Sequence, residues 1–144
     1  MDLDELGWTP DLDDHLRSHH DPGLLPGRVS SVGRNRYRVL TAEGELTAVP
    51  DRSLRGSGEG DRPVVGDWVG VSRDDQLDRH LIRMVLPRKN RLSRMAAGDR
   101  TDEQVIAANV DAVFIVTGLD GDFNVRRIER YLARIWASGA EPMV

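Results

Sequence analysis

The chain has 144 residues, of which 39% are hydrophobic and 31% are charged, a composition typical of a soluble globular protein. No apolar run approaches the roughly 20 residues of a membrane-spanning helix, so we expect no membrane partner. Because the sequence lacks cysteine, it excludes disulfides and thiolate zinc sites within these residues. The acidic start at residues 1–5 differs from a basic secretory signal, which predicts a cytoplasmic location.

The net charge of −4 is unevenly distributed. Residues 1–27 contain seven acidic groups and one arginine, whereas the remaining residues contain 19 basic and 17 acidic groups. Residues 79–100 contain seven basic groups and one acidic group. An acidic arm followed by a locally basic body favours a polyanionic partner for the body.

Residues 1–27 are predicted to form an acidic N-terminal extension. Thr9 and Pro10, followed by three aspartates within four residues, predict a short helix that begins with Thr9 as its cap. His15 and His19 lie one helical turn apart, but no third ligand accompanies them. We therefore interpret them as surface histidines and predict no metal site.

Residues 28–87 are predicted to form a five-stranded barrel. The expected strands are residues 28–32, 36–41, 45–49, 67–72 and 79–86. A loop with Gly56, Gly58 and Gly60 separates the third strand from the fourth. Five short antiparallel strands indicate a mostly β fold of the OB type, with an SH3-like barrel as the nearest alternative.

Residues 88–110 are predicted to form a basic connector with a short helix. The helix is expected to begin at the capping box Thr101-Asp102-Glu103-Gln104 and to continue through about Ala108.

Residues 111–144 are predicted to form a strand, a helix and a further strand. Residues 111–116 (DAVFIV) form a run that is continuously apolar after Asp111, as in parallel strands buried on both faces. Apolar residues at helical spacing follow in residues 125–135, and Gly139 is placed to end that helix. A new apolar run starts at residues 141–144, so we expect the chain to be the truncated start of a longer α/β domain.

Three aromatic residues, Trp68, Phe114 and Trp136, are expected in the core. Because most of the sheet expected around residues 111–144 is missing, we predict that this segment packs onto the barrel or onto a second copy in a homodimer, and that it is otherwise poorly ordered. The homodimer is the favoured outcome.

Four blocks in this order resemble the bacterial ribosome small-subunit-dependent GTPase A family. They are Val65-Gly66-Asp67-Trp68-Val69, residues 82–94 (IRMVLPRKNRLSR), residues 104–111 (QVIAANVD) and residues 123–132 (FNVRRIERYL). The resemblance implies an OB-fold domain, a circularly permuted GTPase domain and a C-terminal zinc domain. It also implies a role in late maturation of the 30S subunit, with 16S rRNA as partner and GTP, magnesium and zinc bound by the full-length protein.

The catalytic loops of a GTPase are absent from this chain. The sequence has one lysine, Lys89, which lies between Arg88 and Asn90. Neither the phosphate-binding loop Gly-x-x-x-x-Gly-Lys-Ser/Thr nor the guanine loop Asn-Lys-x-Asp can therefore be present. We predict that these residues hold no cofactor and have no GTPase activity of their own.

Two groups of basic residues are the candidate RNA contacts: Arg34, Arg36 and Arg38 in the first hairpin, and Arg88, Lys89, Arg91 and Arg94 in the connector. Strand alternation places Arg36 and Arg38 on the face opposite Tyr37 and Val39. The hairpin loops of OB-folds bind RNA through phosphate contacts and stacking. A stand-alone nucleic-acid-binding protein and an unrelated enzyme with a purely structural barrel are the alternatives.

Overall fold

The computed structural model describes residues 1–55, 62–95 and 103–144. The glycine loop predicted around Gly56–Gly60 and the first two residues of the predicted capping box lie outside these ranges. The chain divides into two compact units, Met1–Arg88 and Lys89–Val144.

The first unit is a five-stranded closed barrel preceded by a helix. Its elements are α1 (Pro10–Arg17), β1 (Leu25–Val32), β2 (Tyr37–Thr41), β3 (Gly44–Pro50), α2 (Arg52–Arg55), β4 (Trp68–Asp74) and β5 (Arg79–Val85). The strand order is β1-β2-β3-β5-β4, and β4 pairs with β1 to close the barrel. All pairs are antiparallel except β3 with β5. This order is that of a Greek-key barrel, which confirms the OB-type fold.

Alternation along the strands forms the barrel core. In β2, Tyr37, Val39 and Thr41 are buried, whereas Arg38 between them is exposed. Tyr37 and Val39 pack in one cluster with Val29, Ala48, Val69, Val71 and Ile82 from the other four strands. Each fully buried aliphatic side chain of this kind contributes roughly 1.5–3 kcal/mol to folding. The core therefore gives the barrel most of its stability and directs Arg38 outward.

The acidic arm packs on the barrel through a second apolar cluster. Leu16 and Leu24 are buried with Trp68 and Leu86, and they are joined by Leu3, Leu6, Trp8 and Leu12. Helix α1 begins as predicted, with the Thr9 side chain accepting a hydrogen bond from the backbone N–H of Leu12.

The absence of a side chain at Gly70 allows the acidic arm to pack closely against the barrel. A Cβ atom at Gly70 would lie 2.9 Å from the side chain of Met84 and 3.0 Å from those of Leu16 and Leu24. This glycine therefore allows the close packing of these side chains.

The second unit begins with an antiparallel hairpin of β6 (Arg91–Met95) and β7 (Glu103–Ala108). The prediction of a helix through Ala108 is therefore wrong. Exposed and half-buried residues alternate from Gln104 to Ala107, because pairing with β6 overrides the local preference for a helix.

A strand-helix-strand unit completes the chain. It consists of β8 (Ala112–Phe114), α3 (Val125–Ser138) and β9 (Glu141–Met143), and β8 pairs with β9 in parallel. The Asn124 side chain caps the start of α3, and Gly139 ends the helix with a left-handed φ of 85°. The predicted order and the role of Gly139 are confirmed.

Two of the three expected core aromatics are exposed. Trp68 is buried, as predicted, but Phe114 is 73% exposed and Trp136 is 62% exposed. The prediction is wrong for these two because the described sheet around them has only two strands and leaves their side chains uncovered. Within the described ranges, no helix has the length and apolar character needed to cross a membrane.

Candidate nucleic-acid interface

The hairpin between β1 and β2 presents three arginines. Its turn is closed by a hydrogen bond of 2.8 Å from the backbone N–H of Gly33 to the carbonyl oxygen of Arg36. Arg34, Arg36 and Arg38 are exposed. Arg38 forms a surface ion pair with Glu45 at 3.2 Å. Within the described residues, the guanidinium groups of Arg34 and Arg36 have no ion-pair partner.

A cleft of about 180 Å³ lies beside this hairpin. It is lined by Arg34, Asn35, Tyr37, Pro50, Leu54 and Arg62, and we name it the Tyr37 cleft. Burial raises the pKa of the Tyr37 hydroxyl; the Arg62 guanidinium opposes that change and the Asp67 carboxylate adds to it. The hydroxyl therefore stays protonated at neutral pH and can donate a hydrogen bond.

Arg88 has a structural role that its charge alone does not reveal. Its guanidinium donates two hydrogen bonds, of 2.7 and 2.8 Å, to the carboxylate of Asp67, and a third of 3.1 Å to the carbonyl oxygen of Arg62. Asp67 is fully buried and Arg88 is 15% exposed. Since a buried carboxylate needs a paired cation, the guanidinium of Arg88 serves Asp67 in this fold, and its predicted contact with RNA stays a prediction.

Arg28 also supports the fold. It donates hydrogen bonds to the carbonyl oxygens of Leu6 and Gly66, and its guanidinium lies 5.6 Å from the ring centre of Trp68. It therefore connects the acidic arm to the barrel.

The remaining predicted cations lie in the second unit. Lys89 pairs with Asp111 at the surface, and Arg94 donates a hydrogen bond of 3.2 Å to Gln104. Arg91 is exposed at the start of β6. Arg91 and Arg94 lie in β6 and Lys89 precedes it, so these three cations belong to one hairpin and its base.

Two asparagines hold that hairpin at its base. The Asn90 side chain accepts from the N–H of Val110 at 2.8 Å and donates to its carbonyl oxygen at 2.6 Å. The side chain of Asn109 accepts from the N–H of Lys89 at 2.9 Å. The resulting pairing places Lys89 and Arg91 beside the end of β7.

The described residues do not fit a GTP or metal site. Lys89 follows Arg88 rather than glycine, and its ammonium group pairs with Asp111. No group of three or more metal-ligating side chains occurs in the described ranges. His19 accepts a hydrogen bond from the backbone N–H of Asp21. The interpretation of His15 and His19 as surface histidines stays a prediction.

Sequence reasoning missed four cleft residues: Asn35, Pro50, Leu54 and Arg62. They belong to the first hairpin, to the end of β3, to α2 and to the segment before β4. No local motif links them, because only closure of the barrel brings these segments together.

The family model and the similar curated proteins that match this chain carry the same name. The family model described as RsgA GTPase matches residues 85–144. The protein "Small ribosomal subunit biogenesis GTPase RsgA" of Syntrophotalea carbinolica is 40% identical, over 100% of this chain and 42% of the relative. The protein of the same name from Opitutus terrae is 42% identical with the same coverage. The chain thus spans about two fifths of the length of these curated relatives.

Two solved structures share the fold. They are YjeQ from Thermotoga maritima, with a TM-score of 0.57 and 24% identity, and YloQ, described as a circularly permuted GTPase, with a TM-score of 0.55 and 21% identity. The first match covers 82% of this chain and 39% of the other, and the second covers 88% and 42%.

Proposed function

This chain belongs to the RsgA GTPase family, and on that premise we propose that it is the RNA-binding part of a GTPase that acts in maturation of the small ribosomal subunit. Its partner is the small subunit with its 16S rRNA, and its place of action is the cytoplasm. The names of the curated relatives support the partner, because they describe biogenesis factors of that subunit.

The observation that carries the proposal is the exposed arginine surface of the first barrel hairpin. Arg34 and Arg36 have no ion-pair partner within the described residues, and Arg38 pairs only at the surface. Exposed guanidinium groups on a hairpin loop of an OB-type barrel are suited to phosphate contacts. Lys89, Arg91 and Arg94 offer a second surface of the same chemistry.

Hydrolysis of GTP belongs to the longer protein in this proposal. GTP, magnesium and zinc would be held by residues outside this chain, since its only lysine is paired and it has no cysteine. The residues of this chain bind RNA and carry out no chemical step.

The salt dependence of RNA binding tests the proposal. The variant Arg34→Gln/Arg36→Gln should bind 30S subunits and 16S rRNA more weakly than the wild type. The slope of log affinity against log salt should flatten by up to about 2 units, about one per lost phosphate contact.

Arg73→Gln is the matched control, because Arg73 is an exposed barrel arginine that pairs with Asp75 and Asp78. It should leave the slope unchanged. If the salt dependence of the Arg34→Gln/Arg36→Gln variant is also unchanged, the first hairpin does not contact the RNA phosphates. The interface would then lie at Lys89, Arg91 and Arg94.

A further inference from the structure

The Tyr37 cleft combines an apolar wall with polar groups. Pro50 and Leu54 supply apolar surface, and Arg34, Asn35 and Arg62 supply exposed polar groups. Its volume of about 180 Å³ is below the roughly 300–1,000 Å³ typical of sites for drug-sized ligands. The cleft therefore suits one planar ring with an anion attached to it, and it is too small to hold a peptide helix or a run of bases.

The polar groups of the cleft are available to a ligand within the described structure. The guanidinium groups of Arg34 and Arg62 have no ion-pair partner among the described residues. Tyr37 is only 7% exposed, and its hydroxyl has no hydrogen bond to another described residue. Two cations and a hydrogen-bonding hydroxyl thus meet an apolar wall in one small space.

We propose that the Tyr37 cleft receives one unpaired nucleotide of the bound RNA. The base lies against Pro50 and Leu54, within reach of the Tyr37 hydroxyl, and its phosphate interacts with Arg34 and Arg62. The inference rests on the proposed function, since the nucleotide belongs to the RNA that the barrel binds. It adds a preference for unpaired over paired RNA.

The chemistry of the wall favours a nucleotide over a simple phosphate. A phosphate requires only the arginines and gains nothing from Pro50 and Leu54. An unstacked base has an apolar face and a hydrogen-bonding edge, and proteins recognise RNA sequence mainly through such splayed bases. A base inside a duplex is stacked and cannot enter the cleft.

Binding to single-stranded and duplex RNA of about 12 nucleotides, within the range covered by single-strand-binding barrels, tests the preference. Tyr37→Phe removes only the hydroxyl, and Arg62→Gln removes only the charge. Each variant should weaken single-strand binding about fivefold, the effect of one lost hydrogen bond, and change duplex binding less than twofold.

Arg36→Gln is the control, because Arg36 lies on the same hairpin and does not line the cleft. It should weaken binding to both RNAs alike. Thermal melts should confirm that the variants are folded. Cleft variants that weaken binding to both RNAs equally, or that leave single-strand binding unchanged, would overturn the inference.

A second measurement separates the cleft from RNA binding in general. Nucleoside 5′-monophosphates should shift the NMR signals of the Arg34, Tyr37 and Leu54 amides saturably, and inorganic phosphate should not shift Leu54. Identical shifts with phosphate alone would make the cleft an anion site and refute the inference. A wild type without any RNA affinity would refute the proposed function, and the nucleotide titration would still decide the role of the cleft.

Discussion

Replacing Arg88 by Met should destabilise the barrel far more than a typical arginine substitution. Methionine keeps an apolar stem of similar length but removes the guanidinium, which makes two hydrogen bonds to Asp67 and one to Arg62. The fully buried carboxylate of Asp67 would lose both hydrogen bonds from Arg88. It would keep the hydrogen bond of 2.8 Å that it accepts from the backbone N–H of Val64.

The expected cost is about 3–5 kcal/mol, the usual penalty for leaving a buried charge without its partner. Since small domains are stable by about 5–15 kcal/mol, this loss is a large share of the total. Replacing both partners, as in Asp67→Asn/Arg88→Met, should cost less than the sum of the two single substitutions, because the uncompensated charge is then absent.

Urea denaturation followed by tryptophan fluorescence measures these free energies. Arg73→Met is the matched control, since Arg73 also makes two contacts with carboxylates, at 2.9 and 2.8 Å, but is 59% exposed. Its loss should cost less than about 1 kcal/mol. If Arg88→Met costs no more than Arg73→Met, the structural role assigned to Arg88 is refuted.

Three other outcomes are expected. Burial acts to raise the pKa of Asp51, but hydrogen bonds from Ser53 and the neighbouring backbone, with the charge of Arg83, outweigh it and lower the pKa below the usual 3.8. Ionised Asp51 therefore stabilises the fold above pH 3.8, and this contribution is lost as the pH falls through its lowered pKa. Urea titrations from pH 7 to pH 3 should show the stability difference between wild type and Asp51→Asn shrinking in that window. Calorimetric titration with GTP should give no binding heat, and a micromolar site would contradict the assignment of hydrolysis to the longer protein. Light scattering at rising protein concentration should show dimers. Trp136→Gln should lower the dimer fraction, because it removes exposed apolar surface. A wild type that stays monomeric at all concentrations would contradict this prediction.

Strand alternation made the barrel predictable from sequence. The predicted strands agree with the observed ones within two residues at both ends, except that β1 begins three residues earlier, at Leu25. Alternation does not specify which strands become neighbours. The parallel pairing of β3 with β5 joins segments that are about 30 residues apart, so only the structure could separate an OB-type barrel from an SH3-like one.

Local patterns failed where tertiary contacts decide the outcome. A capping box preceding Val105 and Ile106 favours a helix, but pairing with β6 makes these residues part of a strand. The arm was predicted as an acidic extension with a short helix. In the structure, Leu3, Leu6 and Trp8 also belong to the cluster that joins the arm to the barrel. Acidic residues lie between these apolar residues in the sequence, so the apolar pattern was not recognised.

The candidate interface was predictable in part. Exposure of Arg36 and Arg38 followed from alternation with Tyr37, which needs no tertiary information. The sequence could not distinguish Arg88 from a surface cation, because its partner Asp67 lies 21 residues earlier in the chain, directly before β4. Its role depends on a contact that only the folded chain creates.

The placement of the three tryptophans gives each unit its own optical signal. Trp8 and Trp68 lie in the first unit with ring centres 5.0 Å apart at 65°, and Trp68 is buried. Trp136, in the second unit, is 62% exposed. The ordered pair should dominate near-ultraviolet circular dichroism, whereas iodide should quench mainly the red-shifted emission of Trp136. One unmodified sample can therefore report on the unfolding of both units, and separate transitions would be visible without any added label.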